Sequence, residues 1–588
     1  MSFNPYNLSA PRNVVLENPS PELPVVTPIM TGAKADGVSD DTVAIQKALD
    51  YIGDLGGGEV LFTPGTYLIS DTLTVSDNTI VRGINATITG FIPEQQVEFI
   101  SIDKTDGVSI LGIKFDGGGS FSATPFENPY AAGQSVGFTN ASLAIYGGSG
   151  TKNFRVDGCE ITGCGLGMEF SYTTGPSWIT NNTISNFGQV GIEYYGSGNA
   201  AISGNKISGG QGNMTQPGDT NLANSKFADG VYLVSVSKIA VLGNEISDCI
   251  RIGIVLEKAA ANPQNHQVTI QGNVLYNFHD SRGSENNAGI WAEPGQSDAT
   301  CQILGNTIDQ TGAVQGTGGL YCIQLSDGIL CSGNSCAGAS VGISARNSLV
   351  VGNLIYGANG PGIQTSGTAT DLLSIKDNTI RDNLDVGIRL YQSRGIIDIS
   401  GNIIKDNGGG GAASQSRGHG ITISRSYNDQ WLSIQGNKFI SSADSGDTSG
   451  QLYSIYAIGG GTVSYDMRNW MNNQFIFTGD VGTYPTNLGQ TPCAFAYDNT
   501  GGSVTPYDIV NEQFNNNNNT KQLQVNSNSY GGGYQRYIGQ STAAPTTGAH
   551  LKGDWLYNSN PTAGGFMGWK CTADGTPGTW KTFGPISS

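Results

Sequence analysis

Residues 229–258 read DGVYLVSVSKIAVLGNEISDCIRIGIVLEK, and they hold a complete unit of a repeat that governs most of the chain. The unit opens on a glycine-led strand, GVYL at Gly230, in which alternate positions are apolar. It continues through AVLGNEI at Ala240, an alternating strand that ends in Gly-Asn, and returns to a second glycine-led strand, GIVL at Gly253. The Gly-Asn half recurs as AISGNKI at Ala201, VTIQGNVL at Val268, CQILGNTI at Cys301, LVVGNLI at Leu349, SIKDNTI at Ser374, DISGNII at Asp398 and LSIQGNKF at Leu432. The glycine-led half recurs at Gly167, Gly191, Gly289, Gly342, Gly362, Gly387 and Gly420. Two strand types alternating in fixed order imply stacked coils, each touching only its neighbours.

Successive glycine-led strands lie roughly 20 to 39 residues apart, a spacing that suits one coil of a parallel β-helix with loops of varying length. The corner asparagines are then expected to stack as a ladder inside a turn, a structural role without chemistry. The composition agrees: 86 glycines and only 13% charged residues describe an all-β chain that turns often.

The ends differ from the middle. Residues 1–30 are Pro-rich and polar, which predicts an extended arm or anchor. Between Thr31 and Ser70, Ser39 and Asp40 are candidate caps for a helix with an acidic first turn. Ile45, Ala48, Leu49 and Ile52 share one face of that helix, and Gly56 to Gly58 stop it. The following EVLFTPGTYLIS reads as two short strands about a Pro-Gly turn. The repeat is expected to fill 31–515, ending near the polar run at Phe514. A linker over 516–542 and a small β-module over 543–588, bearing Trp555, Trp569 and Trp580, complete the chain.

Charge and cysteine content exclude several functions. With 29 Lys and Arg against 47 Asp and Glu, the net charge of -18 opposes binding to nucleic acid or to an anionic membrane. Residues 1–28 hold six prolines and no apolar signal core, and no stretch is long and apolar enough to span a bilayer, so a soluble protein without membrane insertion is expected. The nine cysteines, several at positions where neighbouring units carry Ile or Leu, read as buried core residues of a reduced protein. Four histidines without paired spacing predict neither a zinc site nor any cofactor, and activity is expected to need no metal.

The stretch DGVSDDTVAIQKAL followed by GGGEVLFTPGTYL resembles the opening of the pectate-lyase-like right-handed β-helix superfamily, where the first part caps the first coil and the second begins the spiral. The C-terminal GFMGWKCTADGTPGTWKTFG resembles a module at the ends of bacteriophage tailspikes and related polysaccharide-degrading proteins. Together these resemblances imply a right-handed parallel β-helix with a capping helix and a terminal β-module. They further imply a capsule depolymerase of the virion tail, a homotrimer that binds bacterial capsule or O-antigen and attaches through its arm to a phage tail or baseplate protein.

In a glycine-led strand the residues two and four places after the glycine point outward, and equivalent places on adjacent coils stack about 4.8 Å apart. The inner row so predicted runs Glu169, Glu193, Tyr232, Val255, Trp291, Ser344, Gln364, Arg389 and Thr422; the outer row runs Ser171, Tyr195, Val234, Glu257, Glu293, Arg346, Ser366, Tyr391 and Ser424. Two carboxylate pairs emerge, Glu169 with Glu193 and Glu257 with Glu293. Stacked like charges raise one pKa, which suits general acid catalysis, although solvated glutamates on a polar wall would look the same in sequence. The second pair is the better catalytic candidate because Trp291 and Tyr232 lie beside it and the loop before it carries His279, Asp280, Arg282 and Glu285. Aromatic faces stack on sugars and guanidinium groups grip acidic ones, so Tyr195, Arg346, Arg389 and Tyr391 join Trp291, Tyr232, His279 and Arg282 as candidate substrate-binding residues. Asp229 and His419 stand before the glycine, where other units place apolar residues. Asp229 is kept as a further catalytic candidate, with a satisfied turn residue as the alternative for each.

The expected activity is glycosidic hydrolysis by Glu257 and Glu293, with retention if their coils are adjacent and inversion if a wider pair such as Glu193 with Glu257 acts. A uronate-cleaving lyase and a non-catalytic adhesin are the rivals on the same fold.

Overall fold

Val190–Tyr195, Asp229–Val234, Ile252–Glu257 and Asn287–Ala292 lie side by side as parallel strands in register, each one coil beyond the last. This computed structural model describes residues 23–588 apart from intervening segments, among them 211–227, 258–265, 279–286 and 294–299. Three long parallel sheets share the winding: Thr269–Gln271, Val274–Tyr276 and Asn287–Ala292 give one coil's strand to each in turn.

The corner between the first two sheets is made by the Gly-Asn pairs. Gly243 (φ 59°) and Gly272 (φ 65°) take the left-handed backbone that turns the chain, and Asp377 (φ 54°) does the same in the SIKDNTI variant. Each following asparagine is buried and joins the expected ladder. Asn244 Nδ2 donates to Asn273 Oδ1, and Asn273 Nδ2 to Asn306 Oδ1, each at 2.9 Å; the chain of such bonds runs unbroken from Asn182 to Asn473. The same Oδ1 atoms accept backbone N–H groups, as Asn306 does from Asn273 at 3.0 Å, so the ladder satisfies main-chain donors that no strand reaches.

Inside the coil Ile254, Ile290, Ile323, Ile343, Ile363, Ile388 and Ile421 stack in register, all fully buried. Burying such a side chain is worth about 1.5–3 kcal/mol. The leading glycines are required by close approach: a Cβ on Gly230 would stand 2.7 Å from the carbonyl oxygen of Gly253 and 2.4 Å from Ile246 Cγ2. Among the described residues the cysteines are buried, and burial pushes the thiols of Cys159 and Cys331 up to about 12, so they behave as core side chains.

The helix covers Thr42–Asp54 and buries the four predicted residues. Its cap differs from expectation: Ser39 lies outside it and Asp41 holds the N-cap position, its first turn is not acidic, and Asp41 spends its carboxylate on the backbone N–H groups of Lys34 (2.6 Å) and Ala35 (2.9 Å). Asp40 instead accepts from the backbone N–H of Thr42 at 3.0 Å. The expected strands Gly58–Phe62 and Gly65–Ile69 form, in two different sheets.

The parallel ladder extends past both expected limits. Val25 and Val26 pair with Glu59 and Val60, and Leu523–Ser527 still pairs with Cys493–Asn499. A separate sheet comprises Ile538–Ser541, Trp555–Asn558, Phe566–Ala573 and Thr579–Pro585, in which Lys570 Nζ stands 4.5 Å over the Trp555 ring.

Candidate functional site on the third sheet

The glycine-led strands bring the predicted inner row together in true register. Tyr146, Glu169, Glu193, Tyr232, Val255, Trp291, Gln324, Ser344, Gln364, Arg389 and Thr422 are successive partners. Gln324 corrects the predicted row, because Leu320–Gln324 forms a whole coil between those of Trp291 and Ser344. Its glycine position is taken by Cys322, whose carbonyl oxygen a Cβ on Gly289 would approach to 2.9 Å. Coils with Glu98–Ser101 and Leu143–Gly147 precede the first predicted one and also lack the leading glycine, so Glu98 and Tyr146 went unseen.

Along the outer row Ser171, Tyr195, Val234 and Glu257 are successive partners, and the Glu293 backbone N–H donates to Leu256 at 3.0 Å, which seats Glu293 one coil beyond Glu257. Both predicted carboxylate pairs therefore occupy adjacent coils.

The pairs belong to one network. Burial, reinforced by Glu169, Asp229 and Glu257, pushes the Glu193 carboxyl up to about 7, so it holds its proton near neutrality. Tyr232, its neighbour on the next coil, donates its hydroxyl to Glu257, and burial together with that bond holds the phenol protonated. Burial and the charge of Glu257 raise Glu293, against which Arg251 acts in the opposite sense. Farther along the face, burial raises Glu98, with Glu169 and Asp103 adding to it.

Asp229 is fully enclosed and bound by the fork of Arg251, Nε to Oδ1 at 2.9 Å and Nη2 to Oδ2. Arg251 was not singled out in the sequence; its place two residues before Gly253, one coil after Asp229, is the signal that could have found it. Ile252, Val255 and Ala288 make a buried apolar strip against which Tyr232, Trp291 and Tyr321 pack, and the last two meet edge to face at 6.0 Å.

The other candidates spread out. Tyr195 lies on the coil after Tyr172, their rings 5.3 Å apart. Arg346 pairs with Asp327 at 3.1 Å, Arg389 binds Asp385, and Tyr391 is exposed, all beyond the Gln324 coil from the carboxylates. His419 is buried with its ring 4.5 Å from that of Tyr456. His279, Asp280, Arg282, Glu285 and Ser366 lie outside the described residues. Among the described residues no group of three or more His, Cys, Asp or Glu is arranged to hold a metal ion.

The family model for a right-handed β-helix region matches residues 100–308 and 264–427, and the chain belongs to that family. The rhamnogalacturonase A/epimerase, pectate lyase-like model matches residues 30–104, the segment whose motif suggested it. Mannuronan C5-epimerase AlgE6 of Azotobacter vinelandii is 44% identical over 59 residues, which span 10% of this chain and 7% of that protein. Among solved structures, the tailspike protein of E. coli bacteriophage HK620 in complex with pentasaccharide is 11% identical with a TM-score of 0.46, over 78% of this chain and 80% of that one. The Streptococcus pneumoniae surface adhesin PfbA is 13% identical with a TM-score of 0.37, over 95% and 98%. ORF18 of Geobacillus virus E2 is 15% identical with a TM-score of 0.34, and the match covers 64% of this chain and 61% of that one. At such identities the likeness is one of fold.

Proposed function

We propose that this β-helix is a phage tailspike depolymerase that hydrolyses glycosidic bonds in a bacterial surface polysaccharide, with Glu193 as general acid and Glu257 as general base. The observation that carries the reading is the contrast between these carboxyls: Glu193 is pushed up to about 7 by burial and its acidic neighbours, while Glu257 accepts the hydroxyl of Tyr232. Glu193 gives its proton to the departing glycosidic oxygen. Glu257 takes a proton from the water that attacks the anomeric carbon. Tyr232 lies on the coil between them and Glu257 stands two residues further along its strand than the register partner Val255, so their backbones are roughly 11–12 Å apart, and side chains leaning towards each other would bring the carboxyls into the 6.5–9.5 Å that inverting enzymes use. Trp291 and Tyr321 offer aromatic faces to the sugar beside the bond. Asp229, enclosed by Arg251, positions rather than reacts.

A second reading keeps Glu257 as nucleophile and makes Glu293 the acid, favoured by the burial and the Glu257 charge that raise Glu293. Adjacent coils, about 4.8 Å apart, would then imply retention.

Incubation with purified capsules and O-chains tests the proposal. New reducing ends without near-ultraviolet absorbance are expected. An unsaturated product would make the protein a lyase, and binding without cleavage an adhesin. The homotrimer and the attachment through the N-terminal arm belong to the same proposal, and sedimentation of a single chain at micromolar concentration would overturn the trimer.

A further inference from the structure

The four-stranded sheet at the C-terminus presents a face that the proposed reaction does not use. Strand register sets its rows: Trp555, Lys570 and Lys581 in one, Tyr557, Gly568 and Phe583 in the next, then Phe566 beside Pro585. Gly568 makes room for the rings, since a Cβ there would stand 2.9 Å from Phe583 Cε1. Phe583 meets Trp555 at 5.0 Å and Tyr557 at 5.9 Å, both edge to face. Cross-strand aromatic contacts of this kind steady a sheet and explain Phe583 and Trp555. Tyr557 and Phe566 nevertheless remain 41% and 43% exposed on the same face.

Lys570 and Lys581 stand directly opposite each other on neighbouring strands, both exposed. Like charges so placed destabilise a sheet, so the pair serves an incoming anion better than it serves the fold. Lys570 is also held in position, with its Nζ 4.5 Å over the Trp555 ring. The local charge balance agrees. Residues 538–588 carry three lysines against two aspartates, in a chain with 29 Lys and Arg against 47 Asp and Glu. Both aspartates are engaged within the module: Asp554 is buried with an oxygen 3.6 Å from His550 Nδ1, and Asp574 accepts the backbone N–H of Lys552.

We infer that this face of the C-terminal module is a second binding site, and that it takes an acidic polysaccharide. The ammonium groups of Lys570 and Lys581 meet an anionic substituent, and Tyr557 and Phe566 support the sugar rings beside it. A nucleic-acid duplex or an anionic bilayer would present its charge to the whole molecule, whose net charge is -18. A single polymer strand can reach the two lysines alone.

Affinity electrophoresis of the full chain through gels containing alginate, polygalacturonate or hyaluronate, with dextran as the neutral control, tests the site. It reads binding alone, so its outcome does not depend on whether the third sheet cuts a polymer. The acidic polymers are expected to retard the chain more than dextran does. Replacing both lysines, Lys570→Gln with Lys581→Gln, should weaken that binding about five- to tenfold, the loss of two exposed ion contacts. Lys570→Arg with Lys581→Arg should retain it, and an unchanged melting temperature shows that each variant folds. Failure of all three acidic polymers to retard the chain, or undiminished retardation of the Gln variant, would overturn the inference. Tighter binding to phosphatidylglycerol vesicles or to duplex DNA than to the acidic polymers would also overturn it, by assigning the lysines to a membrane or a nucleic acid.

Discussion

The phenolic hydroxyl of Tyr232 donates to a carboxylate oxygen of Glu257, one coil further along the third sheet. The register of neighbouring coils thus ties two residues 25 apart in sequence, and it places Tyr232 between the two carboxyls assigned to catalysis. Replacing Tyr232 by Phe keeps the ring against Ile252, Val255 and Ala288 but removes the donor. Polymer binding should survive, while kcat falls by about ten- to a hundredfold, the range lost with a charge-assisted bond of about 1.5–3 kcal/mol. Unchanged kcat would remove Tyr232 from the mechanism.

Glu193 should set the alkaline limb of the pH–rate profile, near pH 7, because the acid must hold its proton. Glu193→Gln should abolish that limb and cost about 10²–10⁴-fold in rate. Stability gives an independent reading. A carboxyl raised in the fold binds its proton more tightly than in the unfolded chain, so its favourable contribution is complete below the unfolded value near 4.5 and is lost as pH rises through about 7. Glu193→Gln should therefore change little at pH 4 and stabilise the protein above pH 7, by at most about 3 kcal/mol. Denaturant midpoints at both pH values check this.

The Asp229–Arg251 pair is almost entirely enclosed, with side-chain exposures of 0% and 12%. Asp229→Asn would remove the carboxylate that the Arg251 fork grips, and breaking such a buried pair costs about 3–5 kcal/mol. A large fall in the urea midpoint is expected. A stability loss below about 1 kcal/mol would place the pair in a far wetter environment than the structure gives it.

The asparagine ladder makes a sharper demand on stability than its polar character suggests. Asn306 accepts from the backbone and side chain of Asn273 and donates to Ile270 O at 3.0 Å and Asn334 Oδ1 at 2.9 Å. Asn306→Ala strands buried groups on both neighbouring coils, with an expected cost of about 2–4 kcal/mol. A neutral substitution, measured by equilibrium unfolding, would mean that water replaces the missing amide.

Much of this was readable because the repeat carries its own register. Once GVYL and GIVL are recognised as equivalent, Tyr232 and Val255 must be neighbours, and they are. The reading failed where a coil lacks the marker. Cys322 stands in the glycine position of Leu320–Gln324, and the strands holding Glu98 and Tyr146 have no leading glycine, so three outward residues were missed. Pairing across the coil was equally hidden: sequence gave no reason to match Asp229 with Arg251, or Arg389 with Asp385, since side-chain reach and not backbone register decides them. The same limit explains why two separate carboxylate pairs were expected where burial joins them into one network.

The stereochemistry of the first product tests the central claim most directly. Proton NMR of the anomeric signals during the first turnovers on a polymer that the protein cuts should show the inverted anomer, as required if Glu193 and Glu257 act across two coils. Glu193→Gln should abolish the reaction and Glu293→Gln should slow it only modestly. A retained anomer together with an inactive Glu293→Gln variant would contradict the account and assign the chemistry to Glu257 and Glu293 on adjacent coils.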